Sequence, residues 1–388
     1  SSNGCVNSPV RFNGTIQNNN GRPAQTWSWN FGNGNTDNSG STVDYTFNTA
    51  GTYNVQYSLI TDVGCKSDTV TKSVVLNDPP LASFAAVNSS CVNAAVNFTD
   101  QSTSPAGTTI SKWTWSFGDG TVAQVATTGA PVSHVYTTPG TYLATLQVET
   151  ASGCVSTVFS RNIIVHPNPT VAFAMPNVVC LPSGSASFIN QSTISDGSEA
   201  SFQYTWNFGD GSPIATVGNP THQFQSAGPF TVSLSVQTAA GCTGNSTQTF
   251  NNIYEEPQAA FSAASEVCVG NAVQFTDQST AANAVVESWI WDFGDGTFSN
   301  QASPSKTYAT PGTYTVTLHV STDKGCQTIQ KFASRQIQVR ALPVADFTFL
   351  QTACEGREVE IRDLSSAVNG TISKWNWNFG ENSKRQSH

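Results

Sequence analysis

Charge is scarce in this chain. Of 388 residues only 11% are Asp, Glu, Lys or Arg, and the net charge is −9. Sixteen Lys and Arg spread along the whole length make no cationic stripe that could draw in a phosphate backbone, so a nucleic-acid partner is not expected. No apolar run reaches membrane-spanning length, and no signal peptide or initiating Met stands at the start. The expectation is a processed chain or an excerpt of a longer one. The motifs of covalent chemistry are missing as well. There is no GxSxG, no HExxH and no CxxC, and the GxG sites lack the third Gly of a dinucleotide loop. His134, His166, His222, His319 and His388 have no partner at ligand spacing, and the carboxylates are too dispersed to nominate an acid/base pair. The chain is expected not to be an enzyme.

What the sequence does contain is a repeat. The segment WxWxFGxG recurs at Trp27–Gly34, Trp113–Gly120 and Trp289–Gly296, with a variant at Tyr204–Gly211 and a broken copy from Trp375. Its second aromatic falls at Trp29, Trp115, Trp206, Trp291 and Trp377, positions between 85 and 91 residues apart. A block of that length can bury its own core, unlike the short units of a solenoid. Each block is therefore read as a domain. The expected boundaries are 1–79, 80–167, 168–256 and 257–342, followed by a truncated fifth block, 343–388.

The second block shows how a unit is built. Leu81 to Val87, Val96 to Thr99, Lys112 to Phe117, Val132 to Tyr136, Thr141 to Thr150 and Cys154 to Val165 read as strands, and no helical periodicity competes with them. Residues two apart share a face of a strand, so Trp113, Trp115 and Phe117 form one aromatic ladder, expected to point inward. The matching ladders are Trp27, Trp29 and Phe31; Tyr204, Trp206 and Phe208; and Trp289, Trp291 and Phe293. GlyAspGly follows the ladder in blocks two to four, with Asn33 replacing Asp in block one, and signals a tight turn. Tyr53, Tyr142 and Tyr314 open the next long strand and read as a tyrosine corner, where block three has Phe230.

Cysteines come two per block, about sixty residues apart: Cys5 and Cys65, Cys91 and Cys154, Cys180 and Cys242, Cys268 and Cys326. Cys354 stands alone in the fifth. The simplest expectation is one disulfide within each block, in an oxidising compartment. Pro-containing junctions at Asp78–Pro80, Pro167–Pro169, Pro257 and Pro343 predict short, stiff linkers and a monomeric, semi-rigid rod.

WxFGDG, a following Tyr, then ProGlyxTyr and a VxLxV strand make the chain similar to the PKD (polycystic kidney disease) domain. The resemblance covers four blocks and the start of a fifth. It implies an all-β fold of tandem immunoglobulin-like β-sandwiches. It also implies secreted or cell-surface proteins in which such domains serve as spacers, adhesive arrays or accessories of glycanases and proteases. The GlyCys pairs and the richness in Asn, Ser and Thr resemble long surface proteins of Bacteroidota. Departures from the pattern are Asn33, Tyr204, Phe224 and GluAsn at 381–382. Block one lacks the first strand carried by the other blocks at Ala82–Phe84, Val171–Phe173, Ala259–Phe261 and Ala345–Phe347. The fifth block is expected to be poorly ordered.

Two site readings compete. Asp119, Asp210 and Asp295 in the turns, with Asp100, Asp277 and Asp363 at a strand end, suggest calcium. Asn33, Asn13 and Asn190 occupy the same slots, which favours plain turn hydrogen bonding and no cofactor. Six NxS/T sequons, at Asn13, Asn88, Asn97, Asn190, Asn245 and Asn369, are what an Asn-, Ser- and Thr-rich composition yields by chance. The expected function is a non-catalytic extracellular stalk or adhesion array that contacts an unidentified protein or glycan. The alternative is a carbohydrate-binding or spacer accessory of a secreted degradative enzyme.

Overall fold

A computed structural model describes residues 2–17, 22–349 and 356–380. Cys354, His388 and the GluAsn at 381–382 lie outside the described residues. The described chain is all-β, with one 3-10 turn at Glu199–Ser201 and no α-helix. It divides into two compact units. One holds residues 1–170, 192–203 and 236–244; the other holds 171–191, 204–235 and 245–388.

Block two, in the first unit, is a sandwich of two sheets. The larger sheet runs, in spatial order, Gln124–Ala126, Ile110–Ser116, Gly140–Thr150, Phe159–His166 and Ser89–Cys91. The smaller runs Val132–Val135, Ala95–Asp100 and Phe84–Ala85. All neighbours are antiparallel except the outermost pair of the large sheet, where Ser89–Cys91 runs parallel to Phe159–His166. Block one, also in the first unit, repeats the larger sheet with Ser2–Cys5 parallel to Val70–Asn77. Block four, in the second unit, repeats it with Glu266–Cys268 parallel to Ala333–Arg340.

The aromatic ladder is the centre of each core. A register shift between Ile110 and Lys112, matched at Ala24/Thr26 and Val286/Ser288, sets the strand so that the second Trp faces inward. Trp29, Trp115, Trp206 and Trp291 are buried, as are Phe31, Phe117, Phe208 and Phe293. Phe84, Phe173 and Phe261 pack on the Trp at ring distances of 5.2, 5.1 and 5.0 Å. Burying each ring contributes on the order of 2–3 kcal/mol. The first rung departs from expectation: Trp113 is buried, but Trp27, Tyr204 and Trp289 are only half-buried. Trp113 Nε1 donates to Asp100 at 2.8 Å, whereas the indole N–H groups of Trp27 and Trp289 are buried without a partner.

In block one Tyr57, in the register position of Leu146 and Leu318, lies on Trp29 at 4.3 Å, and beside them opens a cleft of about 940 Å³ lined by Phe12, Leu59 and Val70. The Tyr57 hydroxyl is buried there without a partner, and burial raises its pKa. In the fifth block Phe347–Phe349 pairs with Ile361–Asp363, but Phe347, Trp375 and Phe379 stay exposed, with no second sheet described over them.

Disulfide pairing within each block is wrong. The bonds are Cys5–Cys154, Cys91–Cys242 and Cys180–Cys326, with Cα separations of 5.5, 5.6 and 5.4 Å. The first cysteine of one block joins the second cysteine of the next, and Cys65 and Cys268 remain free and exposed. Strand polarity is the reason. Cys91 lies level with His166, at the end of the last strand, beside Gly140 at the start of the long strand Gly140–Thr150. Cys154 follows the turn after Thr150, at the other end of that strand. Eleven residues of strand separate the two by roughly 30 Å or more, against the 7 Å that a disulfide can span. Cys5, in contrast, pairs in register with Asn77, the residue from which the chain leaves for block two. The Cys154 sulfur lies 3.8 Å from the Gly4 carbonyl oxygen and 3.9 Å from that of Asn77.

Each bond closes a loop of 146 to 151 residues and contributes about 5 kcal/mol in the chain-entropy description. The loops overlap, so each of the three junctions between blocks one and four is bridged. Cleavage at one junction, for example through an engineered protease site at residues 78–80, is expected to leave the protein one species on non-reducing gels. Two fragments should separate only after dithiothreitol. Separation without reductant would contradict this pairing.

Candidate functional site

The acidic turns that invite a metal are closed by their own neighbours. In block two the turn after the ladder needs Gly118, whose φ is +81° and whose added Cβ would sit 2.6 Å from the Leu143 carbonyl oxygen. Asp119 follows. One carboxylate oxygen accepts from the backbone N–H and the hydroxyl of Thr121, at 3.1 and 2.6 Å; the other meets His134 Nε2 at 2.7 Å. The His134 ring stacks flat on Phe117 at 4.0 Å. Block three repeats this with Asp210, Ser212, His222 and Phe208, at 2.7 Å for the His–Asp contact and 4.0 Å for the stack. In block four Lys306 takes the place of His, 2.7 Å from Asp295 and 5.5 Å above the Phe293 ring. In block one Tyr45 stacks on Phe31 at 3.8 Å, and its hydroxyl accepts from Asn33 Nδ2 at 3.0 Å.

The partner therefore explains the acid. Where a His or Lys stands on the ladder ring the turn residue is Asp; where Tyr stands there it is Asn. Sequence reading treated the histidines as scattered. The signal that unites them is a fixed position opposite the ladder Phe, visible only once the strands Val132–Val135 and Thr221–Gln223 are aligned with Thr42–Thr46.

The strand-end acids are used in the same way. Asp100 accepts from Ser102 N–H and Trp113, Asp277 from Ser279, and Asp363 from Ser365 N–H and Trp375. Asn13 accepts from Thr42, and Asn190 Nδ2 donates to the Tyr204 hydroxyl. Among the described residues no group of three His, Cys, Asp or Glu is placed to hold a metal. The tyrosine corners close on the backbone: Tyr53, Tyr142 and Tyr314 donate to the carbonyls of Thr49, Thr138 and Thr310 at 3.0, 2.8 and 3.0 Å.

Electrostatics fit these roles. Partial burial opposes the charge of Asp119, but hydrogen bonds from Thr121 and His134 outweigh it and hold the carboxyl below its ordinary range. Asp210 and Asp295 behave likewise. Burial, then the nearby Asp119 charge, pushes the Tyr136 phenol up to about 12; Tyr308 is raised similarly beside Asp295. Glu256 is the one fully buried charged side chain among the described residues. Its Oε1 accepts the backbone N–H groups of Ile329, Gln330 and Lys331, which overcome the penalty of burial and lower its pKa. It ties the chain just before block four to the 329–331 segment.

One surface differs from its counterparts. On the outer face of the large sheet of block four, Ile290 pairs with His319, and the His319 ring stacks on Phe332 at 5.0 Å. Phe298 shares that face through its pairing with Asp292. Ile290, Phe298 and Phe332 are 60%, 66% and 45% exposed, enough ring surface to stack on a flat ligand. The residues at the Ile290 and His319 positions are Thr114 and Gln147 in block two and Ser28 and Ser58 in block one, which offer no such face.

Comparison with known proteins agrees with this geometry. The family model of the PKD domain matches residues 1–76, 77–165, 167–252 and 254–337. The chain belongs to the PKD domain family. It is 26% identical to human Polycystin-1 over 302 residues, 69% of this chain and 6% of that protein. It is 31% identical to the pre-pro-metalloprotease PrtV of Vibrio cholerae over 108 residues, 28% of this chain and 11% of that protein. The chain thus spans a small part of the relatives it matches. Among solved structures, the PKD1 domain of Vibrio anguillarum Epp is 31% identical, covering 23% of this chain and 99% of that one with a TM-score of 0.21. PKD domains are non-catalytic modules, and in the metalloprotease relative the match covers only 11% of the protein. No helix among them is long and apolar enough to cross a membrane.

Three outcomes follow from these contacts. Asp119→Ala should destabilise the PKD array by about 1–2 kcal/mol, and Asp119→Asn by less, since Asn serves in block one. Because the folded pKa is depressed, this stabilisation is present above the ordinary carboxylate value near 4 and is lost as pH falls through the folded value. Thermal melts from pH 7 to 2.5 check it; equal acid sensitivity in wild type and Asp119→Asn would contradict it. Glu256→Ala should cost roughly 2–4 kcal/mol, and Glu256→Gln should flatten the acid limb of the melt below pH 4.5. Millimolar Ca²⁺ should leave the melting temperature unchanged; a rise reversed by chelator would reinstate the calcium reading.

Proposed function

We propose that this chain is a non-catalytic extracellular PKD array, a covalently braced stalk or adhesion segment that holds binding or catalytic parts at a distance from a cell surface. The observation that carries it is the bridging of each junction between blocks one and four by a disulfide. Such bonds persist in an oxidising compartment, and they resist separation of neighbours instead of protecting a single core. A polar surface with 11% charged residues and acids engaged in turn hydrogen bonds suits a spacer. The proposed domain limits remain 1–79, 80–167, 168–256 and 257–342, with 343–388 a partial fifth.

The second reading is a glycan- or protein-binding accessory of a secreted degradative enzyme. The exposed Phe298–Ile290–His319–Phe332 strip favours it, and PKD relatives include a metalloprotease and a microbial collagenase. Retention on insoluble cellulose, chitin and fibrillar collagen separates the two. The stalk reading expects retention no greater than that of an unrelated β-sandwich protein. Retention abolished by Phe298→Ala or Phe332→Ala, with melting unchanged, would replace it with the accessory reading.

A further inference from the structure

Block one holds the same dipeptide in two settings. Asn33–Gly34 forms the tip of the turn after the ladder, and Asn13–Gly14 closes the strand Pro9–Asn13. Before a Gly, the side-chain amide carbon of Asn is open to attack by the next backbone nitrogen, because no Cβ stands in the way. What holds that nitrogen then decides the outcome. Gly14 N–H donates to the Ser41 carbonyl at 2.7 Å, while Asn13 is paired with Thr42 and its Oδ1 accepts from the Thr42 hydroxyl at 3.1 Å. Gly34 has no such tie. Its N–H makes no hydrogen bond among the described residues, its φ is +92°, and an added Cβ would meet nothing within 4 Å.

The Asn33 amide is also held by the groups that its cleavage needs. Asn35 N–H donates to Asn33 Oδ1 at 3.2 Å, on the oxygen where negative charge gathers when Cγ is attacked. The Tyr45 hydroxyl lies 3.0 Å from Asn33 Nδ2, the atom that must leave. That hydroxyl accepts from Asn33 Nδ2 and Asn35 Nδ2, which leaves its own proton to give, and its ring is fixed by the stack on Phe31. Asn33 and Gly34 are both exposed, so water reaches them. The matching turns of blocks two to four are protected. Hydrogen bonds hold Asp119, Asp210 and Asp295 in the charged form, and a carboxylate anion has no leaving group.

We infer that Asn33 is a site of spontaneous deamidation, with Tyr45 as the proton donor to the departing nitrogen. The Gly34 nitrogen attacks Asn33 Cγ, and the new C–N bond closes a succinimide ring. The Cγ–Nδ2 bond breaks, and Nδ2 takes the Tyr45 hydroxyl proton and leaves as ammonia. The proton lost by the Gly34 nitrogen returns to Tyr45 through water. A water molecule then opens the ring: attack at Cγ gives aspartate, and attack at the main-chain carbonyl gives isoaspartate. One water is consumed, one ammonia is released, and nothing is oxidised or reduced. Either product puts a negative charge on the tip of block one. Isoaspartate also lengthens the turn that Phe31 N–H closes on the Asn35 carbonyl at 3.0 Å.

The test uses the full chain and its Tyr45→Phe variant, which keeps the ring on Phe31. Both are held at neutral pH for weeks, and peptide mapping by mass spectrometry follows Asn33 and Asn13 in each. In the folded protein Asn33 is expected to convert at least roughly tenfold faster than Asn13, and in denaturant, where Gly14 is released, the two should react at similar rates. Tyr45→Phe is expected to slow conversion of Asn33 roughly fivefold or more, with circular dichroism melts showing that it remains folded. Equal rates at the two sites in the folded protein would overturn the inference. So would an Asn33 that persists as the amide while the denatured chain converts. An undiminished rate in folded Tyr45→Phe would overturn the role given to Tyr45.

Discussion

The direction of one strand governs how this chain holds together. In each complete block the longest strand carries its hairpin at one end and the parallel edge strand at the other, so the two cysteines sit at opposite poles. Disulfide geometry then forbids closure within a block and permits it only where one block's exit pole meets the next block's hairpin. The bonds, the junctions they bridge and the two thiols left over follow from that polarity.

Inside each sandwich the organising contact is between rings. The ladder Trp fixes the spacing of the sheets, and the ladder Phe serves as a platform on which a His, a Lys or a Tyr lies. That second ring or cation selects the residue of the neighbouring turn, Asp for the nitrogen donors and Asn for the phenol. A constellation that resembles a ligand site is thereby absorbed into folding. The strip on block four has no such internal purpose, which is why it bears the accessory reading.

Much of this was legible in the sequence. The WxWxFGxG recurrence revealed the number of blocks, the sandwich class and the buried Trp115, Trp206 and Trp291, because ring size and period-two spacing leave few other arrangements. The Asn33 exchange was legible as a turn-residue swap, but its structural partner, Tyr45, was hidden by its distance along the chain. Besides the half-buried first rung of the ladder, two expectations failed for physical reasons. Cys154–Val165 was read as one strand, yet residues 155–158 fold back so that Ser156 bonds Val148, and the strand begins at Phe159. The disulfide pairing was misread because cysteine spacing carries no information about strand direction, and the parallel edge pairing of two to four residues is too short to leave a pattern.

The overlap of the three cystines has a mechanical meaning. Between Cys5 and Cys326 the backbone, drawn out fully, would extend on the order of 1,100 Å. The shortest covalent route instead crosses from Cys5 to Cys154, follows the chain to Cys180 and crosses again to Cys326, a tether of roughly 100 Å. With all of its β-structure melted, an oxidised array could extend between those two cysteines only to that limit. Tension would pass through sulfur, and the sandwiches would hang from that line as side loops.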